Sequence, residues 1–191
     1  MSIKKKDQQL AVTFITSNKE KIADIKTIVG DKFPIAFDKK LVLPEIQSLS
    51  VKAVATYKAK KAFEILKKPV VVSDSGLEIF ALKKFPGALV KYVNMTIGQE
   101  GLIKLLEGKN NRDAFFVAAL AYCDKNGCQV FIQKDKGIIA KKPRGNGWHF
   151  DKIFIPQGET KTWAEIGRKK KNKDSAFKRA LTELIIWLRK E

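Results

Sequence analysis

A long amphipathic helix that leads directly into a buried strand is the strongest constraint on how this chain folds. Apolar residues from position 51 to position 66 recur at helical spacing, and Pro69 ends the pattern. Residues 70–72 then form a continuous apolar run, which is typical of a strand buried on both faces. We therefore expect a sheet covered by helices, with the polar residues 73–76 at the carboxyl end of this strand.

Shorter periodic segments surround this unit. In chain order they predict a strand at 10–15, a helix at 21–29, strands at 35–37, 114–122, 129–134, from about 137 and at 153–155, and helices at about 98–106 and 175–190. Asn126-Gly127 between two of the strands is a strong hairpin signal. Because helix-linked strands occur together with a hairpin, the order indicates an α/β fold with a mixed β-sheet and flanking helices.

Length and composition limit the organisation of the chain. Its 191 residues, of which 45% are hydrophobic, suffice for one substantial core, so we expect a single domain over residues 1–191. No apolar run is long enough to span a bilayer, and the first residues lack the apolar stretch of a signal peptide. These features predict a soluble, cytoplasmic protein without a membrane partner.

The net charge favours an anionic partner. The chain has 38 Lys+Arg against 20 Asp+Glu, a formal charge of +18, which suits a nucleotide, a nucleic acid or an acidic surface. The excess is dispersed in short groups such as Lys4-Lys5-Lys6, which more often form solvated surface than binding sites. Charge alone does not choose among these partners.

The cysteines carry little information about chemistry. Cys123 and Cys128 flank the hairpin turn, and this spacing does not demand a disulfide or a metal site, so a reducing compartment fits best. With 2 Cys and 1 His in the chain, the usual four Cys/His ligands of a zinc site cannot be assembled.

A polar turn follows the first strand and precedes a helix. Thr16, Asn18 and Lys21 lie in it, where unpaired backbone N–H groups and the helix dipole favour an anion. Capping of the helix by Ser17 or Asn18 explains the same residues equally well. The sequence leaves both interpretations open.

Two acids are placed where a metal ion can be held. Glu45 follows Leu43-Pro44, and Asp74 follows the buried strand. Carboxylates supplemented by phosphate and water are the ligands that Mg²⁺ prefers, and ligands commonly bind at the carboxyl ends of strands in α/β sheets. The alternative for Asp74 is a turn residue before Gly76.

Aromatic residues beside a glycine-containing loop are candidates for contact with a base. Trp148 and Phe150 flank His149, and the adjacent Asp151 can accept hydrogen bonds from a base edge. Aromatic residues of this kind are more often part of a core. Lys91, Lys171 and Ser175 complete the set of candidate polar residues.

The ordered segments resemble the inosine triphosphate pyrophosphatase family from Phe14 to Leu184. The motifs that carry the resemblance are Thr16-Ser17-Asn18-Lys19-Glu20-Lys21, Leu43-Pro44-Glu45, Asp74-Ser75-Gly76-Leu77, Ala81-Leu82, Pro86-Gly87, Pro143-Arg144-Gly145, Trp148-His149-Phe150-Asp151 and the pair Lys171 and Ser175. Several independent matches in the correct order make the resemblance specific.

The resemblance implies an elongated, two-lobed fold with a nucleotide cleft, commonly as a homodimer. It implies hydrolysis of inosine or xanthosine triphosphate to the monophosphate and pyrophosphate, with Glu45 and Asp74 holding Mg²⁺ or activating water. The substrate contacts that it implies are Thr16, Asn18, Lys21, Ser75, Lys91, Trp148, Phe150, Asp151, Lys171 and Ser175.

This chain departs from the family pattern at the base-recognition motif. The His-Arg pair that follows the family serine and recognises the purine 6-oxo edge is Ala176-Phe177 here, which predicts relaxed or redirected base choice. Lys178 or Arg179 is a possible substitute. Ser73 and Ala53 replace acids, His149 replaces a glycine and Lys152 a proline. Two alternatives follow: an enzyme for another modified nucleotide, or a catalytically impaired nucleotide-binding or nucleic-acid-binding protein.

Overall fold

Helices and strands alternate through the computed structural model, which describes residues 12–30, 33–147 and 149–190. The strands are β1 (Val12–Ile15), β2 (Ile35–Asp38), β3 (Val70–Ile79), β4 (Pro86–Gly87), β5 (Asp113–Asp124), β6 (Gly127–Ile139) and β7 (Phe154–Pro156). The helices are α1 (Lys19–Val29), α2 (Val51–Leu66), α3 (Val90–Met95), α4 (Gly98–Leu105), α5 (Trp163–Ile166), α6 (Arg168–Lys171) and α7 (Ala176–Leu188). Within these residues, no helix is both long and apolar enough to cross a membrane.

One mixed sheet organises the fold, as the sequence predicts. The strand order is β2-β1-β3-β5-β6-β7, and β4 pairs with the distal part of β3. β1 runs parallel to β2 and β3, whereas β3, β5, β6 and β7 are joined by antiparallel pairs. The parallel strands are connected through α1 and α2, and the antiparallel strands β5 and β6 form the predicted hairpin.

Two hydrophobic clusters cover the two faces of the sheet. On one face α1 and α7 pack over β1, β3 and β5, with Ile25, Leu181 and Leu184 at the centre of the cluster. On the other face α2 presents Val51 and a row of alanines to β3 and β5. Small residues on α2 let the helix lie close to the sheet, since alanine adds little bulk.

A third cluster lies beyond the end of β1 and forms a smaller lobe. It joins the distal part of β3 to α3, α4, β7 and α5, and includes the buried side chains of Leu77, Leu102, Phe154 and Trp163. The two clusters on the sheet faces form the larger lobe. A cleft remains between the lobes where β3 passes from one to the other.

β3 is longer than predicted, and this changes the setting of Asp74. The strand does not end at residue 72, because β5 pairs with it without interruption from Val70↔Cys123 to Ile79↔Ala114. Asp74 is therefore in the middle of a strand rather than at a strand end. On the other side, β1 pairs with β3 only at Thr13↔Val70 and Phe14↔Val71, so the edge of β3 at residues 73–75 opens into the cleft.

β6 is also continuous through the position where a separate strand was expected. It runs from Gly127 to Ile139, and Gly137 lies inside it opposite Ala114. A Cβ atom at residue 137 would collide with the carbonyl oxygen of Ile155, so the glycine permits the close approach of β7. The glycine that looks like the start of a new strand instead marks tight strand pairing.

The two cysteines, whose spacing alone does not demand a disulfide, are bonded to each other in this structure. Cys123 and Cys128 are directly opposite each other in the β5–β6 register and form a disulfide, with their Cα atoms 4.2 Å apart. The short sequence separation permits the bond because the hairpin turn itself brings the two residues into register. Neither cysteine lines the interlobe cleft.

We expect loss of this disulfide to lower stability without changing activity. A loop closed by a bridge of sequence separation 5 is short, so Cys128→Ser should lower the free energy of unfolding by about 2 kcal/mol at most. Urea denaturation of the oxidised and reduced chains measures this difference. A change in KM on reduction would contradict the assignment of a purely structural role.

Candidate functional site

Two adjoining cavities occupy the cleft between the lobes. The first has a volume of about 690 Å³ and lies on the α2 side of β3, and the second, of about 370 Å³, lies on the side of α7. Successive side chains of a strand point to opposite faces, so β3 contributes to both. The residues that line both cavities are Asn18, Lys21, Ser75, Phe116 and Asp151.

The first cavity contains the two predicted acids, and a lysine ammonium connects them. Lys58 Nζ donates to Glu45 Oε1 at 2.7 Å and lies 3.9 Å from Asp74 Oδ1. Asp74 Oδ2 is buried and accepts no hydrogen bond from any residue that the structure describes. The two carboxylates that the sequence predicts are therefore brought together around the Lys58 ammonium.

The environments of these carboxylates differ. Burial raises the pKa of Asp74 above its ordinary value, and the charges of Lys21 and Lys58 offset only part of the rise. Burial also acts to raise the pKa of Glu45, but the hydrogen bond and charge of Lys58, together with the charges of Lys91 and Lys21, leave that pKa below its ordinary value. A pair of acids whose pKa values are pushed in opposite directions is typical of sites that move protons.

Lys21 enters the first cavity from the first turn of α1. Its ammonium donates to the carbonyl oxygen of Ser73 at 3.4 Å, which places it beside the Asp74 backbone. Burial lowers the pKa of Lys21, although the charge of Asp74 acts in the opposite direction. The charge of this lysine is therefore poorly solvated and available to an anion in the cavity.

The turn before α1 serves as a cap. Asn18 Oδ1 accepts hydrogen bonds from the backbone N–H groups of Glu20 and Lys21 at 2.9 and 3.0 Å, and Thr16 Oγ1 accepts from Asn18 N at 3.2 Å. Both residues nevertheless line the first cavity. Capping and cavity lining thus coexist, and the cap fixes the direction in which Lys21 leaves the helix.

The glycine after the Asp74-Ser75 pair fixes the backbone at this point. A Cβ atom at residue 76 would collide with the carbonyl oxygen of Gly87 in β4 and with the side chain of Val51 in α2. Only glycine permits both approaches. The Asp-Ser-Gly sequence is consequently held between β4, β5 and α2.

The residues of the first cavity fit a divalent cation of the magnesium type. The Lys58 ammonium between two carboxylates marks a position where positive charge is stabilised, and Asp74 Oδ2 accepts no hydrogen bond from the described part of the chain. In the described part of the chain, no group of three or more His, Cys, Asp or Glu side chains forms a complete ligand set. Mg²⁺ commonly binds through one or two carboxylates and completes its shell with phosphate and water.

α3 adds polar groups to the opposite wall of the first cavity. Lys91 is exposed there, and Asn94 lies one helical turn further on. Asn94 Oδ1 is buried and lacks a hydrogen-bond partner among the residues described. The charge of Lys91 also lowers the pKa of Glu45, after the larger effects of burial and Lys58, so Lys91 lies within electrostatic reach of that carboxylate.

The second cavity has aromatic walls. Phe116, Trp163 and Phe177 line it, and the rings of Phe116 and Trp163 meet edge to face with centroids 5.0 Å apart. Lys171 Nζ lies 4.4 Å from the Trp163 ring centroid and donates to both Asp151 oxygens, at 2.7 and 2.8 Å. Lys171 therefore lines the aromatic cavity, where it pairs with Asp151, and does not line the first cavity with Glu45 and Asp74.

A buried hydrogen-bond network holds Trp163 in place. The Thr162 hydroxyl donates to the Arg144 carbonyl at 3.0 Å, and Thr162 and Glu165 form a reciprocal cap at the start of α5. Arg144 in turn lies 3.5 Å from Glu165 through Nε. The Pro-Arg-Gly loop is thereby tied to the helix that carries Trp163.

The segment around the predicted base contacts Trp148 and Phe150 is described only in part. Phe150 is buried in the third cluster and borders the first cavity, so it is mainly a core residue. Trp148 lies outside the described residues. His149 has a φ of +38°, in the region that favours glycine.

The start of α7 is fixed in the structure. Ser175 caps α7 through the backbone N–H of Lys178 and lines the second cavity, and Ala176 is fully buried. The suggested substitutes for the missing family donors are directed elsewhere. Lys178 Nζ donates to the Lys173 carbonyl, and Arg179 pairs with Asp135 and Asp174. Neither residue lines the second cavity.

Sequence reasoning missed three residues of the site. Lys58 falls on the apolar stripe of α2, between Val54 and Ala62, and a charged residue on a buried helix face is a signal that could have identified it. Phe116 and Trp163 gave no such signal, because aromatic residues are usual in a core. Their role as cavity walls depends on the gap between the lobes.

Comparisons with known proteins agree with this geometry. A profile of the Ham1 family matches residues 12–187. The dITP/XTP pyrophosphatase of Hyperthermus butylicus is 42% identical over 182 residues, which covers 93% of this chain and 94% of that protein. The enzyme of the same name from Methanopyrus kandleri is 42% identical over 181 residues, covering 93% and 96%.

Solved structures show the same fold. A HAM1 protein from Coxiella burnetii superposes with a TM-score of 0.84 at 25% identity, covering 95% of this chain and 100% of the other. The Ham1 protein of Staphylococcus aureus gives a TM-score of 0.82 at 27% identity, covering 93% and 98%. The sequence resemblance is thereby confirmed, and the chain belongs to the Ham1 family.

Proposed function

We propose that this chain hydrolyses purine nucleoside triphosphates with a non-standard base, such as inosine or xanthosine triphosphate, to the monophosphate and pyrophosphate. The observation that carries the proposal is the cation-bridged pair Glu45 and Asp74 in a cavity that continues into an aromatic one. The first cavity suits the phosphates and the second suits the base. Family membership supports the same reaction.

The reaction exchanges one P–O bond for another. A water oxygen attacks the α-phosphorus, the bond from that phosphorus to the bridging oxygen breaks, and pyrophosphate leaves. Asp74, whose Oδ2 has no other partner in the described chain, is placed to take the proton that the water loses. Lys21 and Lys91 neutralise charge on the phosphates, which is where much of the rate of phosphoryl transfer arises.

Glu45 and Asp74 would hold a Mg²⁺ ion in this arrangement. Bound there, the ion supplies Lewis-acid charge to the phosphate oxygens. Lys58 contacts Glu45 and stays close to Asp74, so it keeps both carboxylates in place before the substrate and its metal arrive. Ser75, on the opposite face of β3 from Asp74, borders both cavities and lies where the sugar would connect phosphates to base.

The preferred base is the point at which this chain can differ from its relatives. The fully buried Ala176 offers no hydrogen bond to a base, and Phe177 presents a ring to the second cavity. Lys171, whose ammonium lies 4.4 Å from the Trp163 ring centroid, is held by Asp151. A second candidate is therefore the same reaction on another modified nucleotide with a less polar base edge.

Pyrophosphate release across a panel of nucleotides tests the function. With Mg²⁺, we expect activity on inosine or xanthosine triphosphate and much less on adenosine, guanosine and pyrimidine triphosphates. Glu45→Gln should remove the activity, because it removes one carboxylate of the pair. Glu64→Gln is a matched control, since Glu64 pairs with Lys61 on the same helix but lies outside both cavities.

The panel also separates the competing interpretations. Activity confined to a different modified base would support the second candidate. No release from any nucleotide, together with salt-sensitive binding to DNA or RNA, would favour a binding protein, for which the charge of +18 is the supporting observation.

The homodimer implied by the resemblance is a further part of the proposal. Exposed apolar side chains gather around α3 and α4, where Tyr92 is 52%, Met95 72% and Ile97 46% exposed. A surface of this kind favours a protein contact. Sedimentation equilibrium of the chain and of Met95→Lys should show a dimer that the substitution weakens; a monomer at micromolar concentration would contradict the expectation.

A further inference from the structure

A buried carboxylate beneath the second cavity has no part in the chemistry described above. Asp135 lies on β6 directly opposite Phe116 on β5, and Phe116 lines both cavities. The Asp135 side chain is only 11% exposed. Burial raises the pKa of Asp135, although hydrogen bonds from Ala176 and Arg179 act against the rise. A carboxylate in such a position needs specific partners to be tolerated.

Both partners come from the start of α7. Asp135 Oδ2 accepts a hydrogen bond from the Ala176 backbone N–H at 2.9 Å, and Oδ1 accepts from Arg179 Nη2 at 2.9 Å. Arg179 also donates to the carbonyl oxygens of Lys134 at 3.0 Å and Asp174 at 2.5 Å. One acid and one arginine thus join the strand β6 to the segment that precedes the helix.

The segment held in this way forms one wall of the second cavity. Asn172, Ser175 and Phe177 line the cavity, and the fully buried Ala176 lies between the last two. The Ala176 N–H belongs to the first turn of α7, where no backbone acceptor is available, so Asp135 satisfies it. Displacement of this contact would move Ser175 and Phe177 together.

We propose that Asp135 and Arg179 form a clamp that sets the position of the Ser175–Phe177 wall, which makes Asp135 a positioning residue for binding of the nucleotide's base half. The inference rests on the proposed function insofar as it assigns the base to the second cavity. The clamp acts through Ala176 and touches neither the phosphates nor the reacting atoms.

Two substitutions break the clamp from opposite sides. Asp135→Asn keeps the shape but turns an amide NH₂ toward one of the two donors, so one hydrogen bond is lost. Arg179→Gln removes the second partner of Asp135. The Arg179 side chain is 32% exposed, so a substitution there is easily tolerated. Glu78→Gln is the matched control, because Glu78 is a similarly covered acid that pairs with Lys134 of β6 and borders neither cavity.

Four quantities are measured for each variant: KM and kcat with inosine triphosphate, the Kd of inosine monophosphate, and the inhibition constant of inorganic pyrophosphate. For Asp135→Asn and Arg179→Gln we expect KM and the monophosphate Kd to rise by roughly tenfold, as for loss of one charge-assisted hydrogen bond. kcat and the pyrophosphate constant should stay within about twofold, since the phosphate half is untouched. In the double variant, the increases in KM and in the monophosphate Kd should be smaller than the product of the increases in the two single variants.

The outcomes are distinct. Unchanged KM and Kd with a lowered melting temperature, or loss of folding in both variants, would overturn the clamp and leave a purely structural pair. Equal changes in the Glu78→Gln control would also overturn it. If the parent chain releases no pyrophosphate, the proposed function fails, while the monophosphate Kd values still decide whether the clamp shapes the second cavity.

Discussion

We expect Asp74→Asn to reduce pyrophosphate release by roughly a thousandfold and to leave the metal-free chain at least as stable as the parent. The loss of activity follows from removal of a carboxylate at the reacting centre. The effect on stability follows from burial, which raises the pKa of Asp74 and therefore makes its charged form unfavourable in the folded state.

The pH dependence of this stability difference has a defined sign. A carboxyl group with a raised folded pKa contributes fully to stability below its unfolded pKa, and the contribution is lost as pH rises through the folded pKa. The melting temperature of Asp74→Asn should thus exceed that of the parent at pH 7, and the difference should shrink as the pH is lowered toward 4. Thermal denaturation without metal measures it.

Glu45→Gln should change the melting temperature in the opposite direction from Asp74→Asn. The pKa of Glu45 is lowered, because Lys58, Lys91 and Lys21 together outweigh the effect of burial. Its charged form therefore contributes stability that is lost as pH falls through the folded pKa. The glutamine variant should lose activity as well, but its melting temperature at pH 7 should fall. Both variants should lose the rise in melting temperature that Mg²⁺ with nucleotide gives the parent. Unfolding of Asp74→Asn at pH 7 would contradict the assignment.

Lys21→Gln should have the second-largest effect, lowering kcat by roughly 10²- to 10³-fold. Its ammonium lies beside the Asp74 backbone in a poorly solvated position, where a charge acts strongly on a phosphate. Lys91→Gln should lower kcat by only about tenfold, because Lys91 is exposed and its charge is screened. Steady-state kinetics of the two variants measure this ranking, and equal effects would contradict it.

The lowered pKa of Lys21 also predicts where activity declines at alkaline pH. Burial lowers its pKa, so the ammonium loses its proton at a lower pH than an ordinary lysine, and activity should decline there. Lys21→Arg keeps the charge at all relevant pH values and should move that decline to higher pH. An unchanged alkaline limb in the arginine variant would show that another group titrates.

The sequence predicted helices more closely than it predicted the setting of polar residues. α2 begins and ends at the residues that its periodicity indicates, because one face of the helix packs on the sheet along its whole length. Asp74 was expected at a strand end, since a run of Ser, Asp, Ser and Gly is usual in turns. It is instead mid-strand, because β5 supplies backbone partners that a local pattern does not reveal.

The candidate site likewise combines residues that the sequence identified with residues that it did not. Glu45, Asp74 and Lys21 were identified from motifs and are brought to one cavity. Lys58 and Trp163 were not identified, since their roles depend on distant partners: Lys58 meets an acid 13 positions away, and Trp163 packs on Phe116 of β5. Phe150 was assigned to a base contact, but the smaller lobe needs it as core.

The arrangement of the cavities on opposite faces of β3 has an evolutionary consequence. The acids lie on the face covered by α2, whereas the aromatic walls come from β5, α5 and the start of α7. Substitutions in those walls leave the backbone that carries Asp74 unchanged. A lineage can therefore change the modified nucleotide that it accepts by altering a few loop and helix-terminal residues. Ala176-Phe177, where the family resemblance implies His-Arg, is a difference of this kind.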